Sequence, residues 1–122
     1  MIRVLIADDH ELLRAGLKMI ISKTEDIVVS GEASDGDEVI EKLKKDNFDI
    51  ILLDIAMPKK TGLEVLKELK TSEKKIPVLI LSTYSEEEYG NLAIKEGASG
   101  YLTKENVPEK LIDTIRNVSQ TK

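Results

Sequence analysis

The sequence alternates short apolar runs with longer stretches whose apolar residues recur every three or four positions. The runs, rich in Val, Ile and Leu, begin at intervals of roughly 25 residues, the length of one strand plus one crossover helix. Their first residues lie near Arg3, Ile27, Asp49, Pro77 and Gly100. The middle runs are continuously apolar, which is typical of parallel strands covered by helices on both faces. With right-handed crossovers, the pattern predicts an α/β fold with a doubly wound, five-stranded parallel sheet.

Amphipathic helices are predicted between these runs and after the last one. The clear stripes are Leu13, Leu17, Ile20 and Ile21; Val39, Ile40 and Leu43; Leu63, Leu66 and Leu69; and Leu111, Ile112, Ile115 and Val118. Residues 86–95 form a weaker helix, with Tyr89, Leu92 and Ala93 predicted on one side and acidic residues on the other.

Helix starts are predicted from local signals. Ser34 with Asp37, and Ser85 with Glu88, have the spacing of a capping box, in which a side-chain oxygen accepts from a free amide. Pro108 suits the first turn of the last helix, where a missing N–H had no partner anyway.

Composition bounds the function. A chain of 122 residues fits one domain, and a net charge of -5 argues against binding nucleic acid or an anionic membrane through bulk electrostatics. There is no cysteine for a disulfide framework or a thiolate zinc site, and the first apolar run is too short for a signal peptide or membrane span. We therefore expect a cytoplasmic protein without membrane contact. Residues 1–118 are predicted to form the domain, and 119–122 a polar tail.

Charged side chains follow the apolar runs at the end where open parallel sheets bind ligands. Asp8 and Asp9 close the first run, Asp54 closes the third, and Lys104 follows the fifth. So many carboxylates beside one ammonium need a counter-charge, which points to a divalent metal and a phosphoryl group. A nucleotide binder would instead have a glycine-rich turn after the first strand, so dinucleotide and flavin-phosphate binding are excluded.

Each of these residues has a functional interpretation and a simpler one. Asp8 and Asp9 suit oxygen ligation of Mg2+, but acids are also common in the first turn of a helix. Asp54 suits a nucleophile that forms an acyl phosphate, but it could be a turn residue. Ser82, at the end of the fourth strand, and Lys104 suit contacts to phosphoryl oxygens, although such residues are often only solvated. Their joint occurrence favours a phosphoryl site.

Two nearby features are less informative. His10 could serve in a phosphorelay, but a lone His at a helix start more often orients a neighbour or faces solvent. Residues 57–62 read as a tight loop in which Pro58 fixes one dihedral angle and Gly62 supplies a positive one.

Taken together, these motifs resemble the receiver domain of two-component response regulators. The resemblance rests on Asp8 and Asp9, on Asp54 opening the run D-I-A-M-P-K-K-T-G, on Ser82, and on the run G-A-S-G-Y-L-T-K that ends at Lys104. The latter run and A-D-D-H-E-L-L-R-A-G-L are similar to the NarL/FixJ (LuxR-type) transcriptional branch. The resemblance covers nearly the whole chain and implies the flavodoxin-like (βα)5 architecture of receiver domains.

The resemblance implies a metal site and a phosphoacceptor. Asp54 would take a phosphoryl group from the phosphohistidine of a sensor histidine kinase. Asp9 and Asp54 would ligate Mg2+, or Mn2+ in its place, with Asp8 acting mainly through water and the backbone carbonyl of Ala56 supplying a further ligand.

The resemblance also implies a switch. Lys104 would contact a phosphoryl oxygen and tie Asp54 in the resting state, Ser82 would move onto the phosphoryl group, and Tyr101 would turn inward behind it. The surface that responds would comprise the 86–95 helix, the last strand and the 108–118 helix, with homodimerisation as one output.

Two other classes of protein were weighed. A haloacid-dehalogenase-type phosphatase also uses a strand-end Asp and Mg2+, but it usually needs a second acid two residues on, where this chain has Ala56. A pseudo-receiver that is never phosphorylated would be expected to lack one or more of the acidic pair, Asp54 or Lys104. All of these residues are present, so this alternative is disfavoured. No recognition helix or basic patch is predicted, so DNA binding is expected only through a C-terminal helix-turn-helix domain absent from this chain.

Overall fold

The computed structural model describes residues 1–72, 75–84 and 86–120. Its strands are β1 (Ile2–Ala7), β2 (Ile27–Ala33), β3 (Ile50–Asp54), β4 (Val78–Ser82) and β5 (Gly100–Thr103). Its α-helices are α1 (Glu11–Ser22), α2 (Gly36–Lys45), α3 (Gly62–Thr71), α4 (Asn91–Lys95) and α5 (Val107–Gln120). A π-helical turn (Glu86–Gly90) precedes α4, and a 3-10 turn (Lys104–Asn106) precedes α5. The predicted alternation of strands and helices is confirmed.

All strand pairs are parallel, and the strands lie in the order β2-β1-β3-β4-β5. The strand order reverses between β1 and β3, and this is where an open α/β sheet binds its ligand. In the register of this pair, Ala7 lies opposite Leu53. The residues that follow β1 and those that end β3 therefore lie side by side at the carboxyl edge of the sheet. The predicted doubly wound sheet is confirmed.

Helices cover both faces of the sheet. Because successive side chains of a strand point to opposite faces, Leu5 packs in one apolar cluster while Val4 and Ile6 pack in the other. The first cluster joins the sheet to α2, α3 and α4, and the second joins it to α1 and α5. Every residue of β3 and β4 is buried, which explains why their sequences are continuously apolar up to the polar last residue.

One predicted helix start is wrong by one residue. Asp35, and not Ser34, is the N-cap of α2: its carboxylate accepts from the backbone N–H of Glu38 at 2.9 Å. The Glu38 side chain in turn accepts from the backbone N–H of Ser34. Asp35 is the last extended residue before the helix, so its side chain and not that of Ser34 lies over the first free amides. The second predicted box begins at Ser85, outside the described residues.

The region before β5 also differs from the prediction. The stripe of 86–95 places Leu92 on the inner side, yet Leu92 is 42% exposed while Ala93 is fully buried. A π-helical turn takes one more residue than an α-helical turn, so it shifts the phase of the helix that follows.

At the other end of the chain, Pro108 lies in the first turn of α5, as predicted, and the helix extends to Gln120. Across the described ranges, no helix combines the length and the apolar composition that a bilayer span requires.

Candidate functional site

The site lies at the carboxyl ends of the strands and collects side chains from four of them. Asp8 and Asp9 follow β1, Asp54 is the last residue of β3, Ser82 is the last residue of β4, and Lys104 directly follows β5. The exposed fractions are 1% for Asp8, 3% for Asp54 and 1% for Ser82. Carboxylates buried to this degree need compensation, because burial penalises the charged form.

Lys104 provides part of that compensation. Its Nζ lies 3.2 Å from Oδ2 of Asp8 and 3.5 Å from Oδ2 of Asp54, and its side chain is only 15% exposed. The ammonium of Lys104 thus lies within ion-pair distance of both buried carboxylates. The sequence predicted that these three residues meet, and the structure brings them together.

The single charge of Lys104 does not neutralise the carboxylates of the site. Burial raises the pKa of Asp54 above its usual range, and the neighbouring Asp8 charge raises that pKa further, while Lys104 and the N–H of Ala56 oppose the shift. The net direction is upward, so the ionised form of Asp54 is disfavoured in this arrangement. The pocket has an excess of negative charge that an added cation would relieve.

Two oxygens in the pocket have no hydrogen bond. Within the described part of the chain, Oδ2 of Asp8 and Oδ2 of Asp54 are buried side-chain atoms without a hydrogen-bond donor, although Lys104 stands near both. The other oxygen of each residue is satisfied: Oδ1 of Asp54 accepts from the N–H of Ala56 at 3.2 Å, and Oδ1 of Asp8 accepts from the N–H of His10 at 2.8 Å. The free oxygens fit a hard cation that takes oxygen ligands.

Ligand atoms of Asp8, Asp9, His10 and Asp54 all lie within 4.8 Å of one another. Three of these residues were predicted as a cation site. His10 was predicted to orient a neighbour or to face solvent, and its Nδ1 in fact lies 3.1 Å from Oδ1 of Asp8 and 3.2 Å from Oδ1 of Asp9. The only sequence signal for this was the adjacency of His10 to the acidic pair.

The backbone of Asp8 is held by α1. Arg14 donates from Nη1 to the carbonyl of Asp8, and from Nε to Glu32 on β2 at 3.1 Å. Lys18 contacts the same carboxylate at 3.0 Å. Sequence reasoning missed Arg14, because its partner Glu32 is distant in the chain.

The backbone of Asp54 is held by the start of α3. The N–H of Gly62 donates to the carbonyl of Ile55 at 2.8 Å, and a Cβ at Gly62 would lie 2.4 Å from the carbonyl oxygen of Asp54. Gly62 was predicted to supply a positive φ angle. That prediction is wrong, because the positive φ of this loop occurs at Lys59 (64°). Gly62 is needed for close approach, and α3 starts there with a capping box of Thr61 and Glu64.

Ser82 and Tyr101 meet the same peptide segment. The hydroxyl of Ser82 accepts from the N–H of Tyr84 at 3.0 Å, and the hydroxyl of Tyr101 donates to the carbonyl of Tyr84 at 2.8 Å. Tyr101 is half-buried, and the ring of Tyr84 lies 4.6 Å, centroid to centroid, from that of Tyr89. Tyr84 therefore links the buried serine of the pocket to the aromatic residues at the surface.

Comparison with known proteins gives matches over nearly the whole chain. Residues 4–116 match the family described as the response regulator receiver domain. The chain is 43% identical over 115 residues to the transcriptional regulatory protein YxjL of Bacillus subtilis (strain 168), covering 94% of this chain and 53% of that protein. It is 40% identical over 116 residues to the nitrate/nitrite response regulator protein NarL of Escherichia coli (strain K12), covering 95% and 54%.

A solved structure agrees with these matches. The signal receiver domain of a NarL response regulator from Mycobacterium tuberculosis has a TM-score of 0.92 and 30% identity, covering 99% of this chain and 98% of that one. The chain spans about half the length of the curated relatives that it matches.

Proposed function

The chain belongs to the response-regulator receiver family of two-component signalling, and from this we propose that Asp54 is its phosphoacceptor. Receiver domains accept a phosphoryl group and do not turn over an outside substrate, which removes the phosphatase alternative. The observation that carries the proposal is the placement of Asp54. Its carboxylate is buried at the strand-order reversal, beside Asp8 and Lys104, with one oxygen free of hydrogen bonds.

The transfer itself requires little covalent help from the protein. An Asp54 oxygen attacks the phosphorus of a phosphohistidine on a sensor histidine kinase, the P–N bond breaks, and the leaving imidazole keeps the bonding pair and is protonated. Phosphoryl transfer depends mainly on positioning and on charge neutralisation. Lys104 supplies one positive charge within 3.5 Å of the acceptor, and burial of Asp54 excludes water from one side.

We propose Mg2+ as the physiological cation, with Mn2+ as a substitute. Asp9 and Asp54 would hold it directly, Asp8 mainly through water, and the carbonyl of Ala56 would add a ligand. The free oxygens of Asp8 and Asp54 fit this role, because Mg2+ sites typically use one or two carboxylates and several waters. Bound there, the cation supplies positive charge to the phosphoryl oxygens.

The response to phosphorylation is assigned to Ser82 and Tyr101. The Ser82 hydroxyl would turn from the N–H of Tyr84 towards a phosphoryl oxygen, with Lys104 on another. Because the Tyr101 hydroxyl holds the carbonyl of the same residue, movement of this segment would alter the packing of Tyr101. The surface that includes 86–95, β5 and α5 would then change, as a two-state element biased by local charge.

A labelling experiment tests the acceptor. Purified protein is incubated with radiolabelled acetyl phosphate and Mg2+, and incorporation is measured for the wild type and for Asp54→Asn. We expect incorporation in the wild type and its loss in Asp54→Asn, because the amide cannot form an acyl phosphate. Asp113→Asn, which neutralises an exposed carboxylate on α5, is the matched control and should be labelled normally. Persistent labelling of Asp54→Asn would show that the acceptor is a different residue.

The output is proposed at the level of the whole protein. We infer a cytoplasmic transcriptional regulator in which residues 1–118 form the receiver domain. Residues 119–122 would lead into a linker, and DNA would be bound only by a helix-turn-helix domain outside this chain. The relatives named as transcriptional regulatory or response regulator proteins, about twice as long as this chain, support this inference. Homodimerisation on phosphorylation is tested by gel filtration with and without beryllofluoride; an unchanged elution volume would argue against it.

A further inference from the structure

His10 is part of the acidic pocket. Its Nδ1 lies 3.1 Å from Oδ1 of Asp8 and 3.2 Å from Oδ1 of Asp9, and its backbone N–H donates to the same Asp8 oxygen at 2.8 Å. The imidazole is tethered at the mouth of the pocket, since its side chain is 66% exposed while that of Asp8 is 2% exposed. None of the roles assigned above uses this ring.

We propose that Nδ1 of His10 is a ligand of the divalent cation, and that it makes this site favour transition ions such as Mn2+ and Zn2+ over Mg2+. The proposal rests on the metal site of the proposed function and specifies which cations that site prefers.

The spacing of the atoms fits ligation of one ion. For metal–ligand distances of about 2.1 Å in an octahedral site, neighbouring ligand atoms lie about 3.0 Å apart and opposite ones about 4.2 Å apart. Nδ1 of His10 is at about the neighbouring-ligand distance from both Asp8 and Asp9. The whole four-residue cluster spans 4.8 Å, so it must contract by only about half an ångström to surround an ion.

Independent support comes from the floor of the pocket. Asp8 and Asp54 are more than nine-tenths buried, and their Oδ2 atoms accept no hydrogen bond within the described residues. An acidic cluster at the surface is common without a metal, but free carboxylate oxygens at this depth are costly. These oxygens face the single ammonium of Lys104, and a cation held by the same two carboxylates and the His10 ring would relieve the remaining negative charge.

The chemistry of the donor determines the preference. Mg2+ is hard and takes oxygen ligands, so an imidazole nitrogen adds little to its binding. Imidazole suits first-row transition ions, whose affinity for nitrogen and oxygen sites rises from Mn2+ towards Cu2+ and remains high for Zn2+. For ligation, Nδ1 must present its lone pair, and the ring then carries its one proton on Nε2.

His10 is the only histidine of the chain, so the NMR signals of its imidazole nitrogens are observed without overlap from other histidines. The protein is prepared with nitrogen-15 in histidine, and the two imidazole nitrogens are followed by NMR during titration with Zn2+ and, separately, with Mg2+. We expect the Nδ1 resonance to move to the metal-coordinated range with Zn2+ and to lack that change with Mg2+. An Nδ1 resonance that keeps its uncoordinated position at saturating Zn2+ would overturn the proposal.

Calorimetry then tests the preference. In His10→Asn, the imidazole nitrogen is replaced by a side-chain amide, whose oxygen suits Mg2+ but offers Zn2+ no nitrogen ligand. We expect the ratio of Zn2+ affinity to Mg2+ affinity to fall by about tenfold or more in this variant. An unchanged ratio, with both affinities lowered alike, would mean that His10 only positions the carboxylates. Failure of the metal site itself is distinguishable, because the wild type would then bind neither ion and acetyl phosphate labelling would not require Mg2+.

Discussion

Replacing Gly62 with Ala tests how closely helix α3 is packed against the end of strand β3, where Asp54 lies. The added Cβ would lie 2.4 Å from the carbonyl oxygen of Asp54 and 2.7 Å from Cα of Ile55. Carbon atoms in contact lie about 3.5 to 4.0 Å apart, so the helix start must retreat by about 1 Å. Both obstructing groups belong to the backbone and cannot rotate away as a side chain would.

The cost follows from two effects. Overpacking of this kind costs about 1–3 kcal/mol, and weakening of the hydrogen bond from Gly62 to Ile55 adds about 1 kcal/mol. Against this, Ala gains up to about 1 kcal/mol of helix propensity over Gly. We expect a net loss of about 1–3 kcal/mol, which for a chain of this length lowers the melting temperature by about 4–12 °C.

Urea unfolding followed by far-UV circular dichroism measures this change, since the chain has no tryptophan. Gly16→Ala is the matched control: it lies in α1 with nothing within 4 Å of the added carbon, and should stabilise the protein by about 0.5–1 kcal/mol. The folded Gly62→Ala variant should also be labelled more slowly by acetyl phosphate, because Asp54 is displaced. Equal stabilisation by the two substitutions would refute the reasoning.

Three further outcomes are expected. Millimolar Mg2+ should raise the melting temperature of the wild type, because the cation relieves the excess negative charge of the pocket. Asp8→Asn should reduce that increase. A wild-type melting temperature that does not change with Mg2+ would contradict the metal site. In EDTA, the raised pKa of Asp54 means that its contribution to stability is fully present below the unfolded pKa of 3.8 and is lost as pH rises through the folded value. The wild type minus Asp54→Asn difference in unfolding free energy should therefore decrease over that range, and a flat difference would be inconsistent with the raised pKa. Finally, Arg14→Met leaves the carbonyl of Asp8 without its guanidinium donor and should cost about 1–2 kcal/mol in urea unfolding, whereas loss of less than about 0.3 kcal/mol would show that the contact is immaterial.

The sequence was sufficient to predict the sheet and most of the pocket. Hydrophobic periodicity depends only on which face of an element is buried, and the position of a residue at a strand end determines which edge of the sheet it reaches. Asp8, Asp54 and Lys104 were predicted on that basis, and the structure places them in contact.

Details that depend on packing were not predictable in this way. The shift of the α2 cap from Ser34 to Asp35 depends on where the chain leaves β2, and the exposure of Leu92 depends on a π-helical turn that no local pattern marks. The position of the His10 ring is fixed by hydrogen bonds to a carboxylate that is itself positioned by burial. Such features require the three-dimensional arrangement of neighbouring elements.

Lys104 directly follows β5, the last of the five described strands and an edge of the sheet, and it faces the carboxylates of Asp8, which follows β1, and Asp54, which ends β3. During synthesis, these carboxylates leave the ribosome long before their lysine does. A nascent or truncated chain that lacks β5 therefore presents acidic groups without the ammonium that opposes them. The pocket is thus completed by its most C-terminal member, and its charge balance is set only when this edge strand joins the sheet.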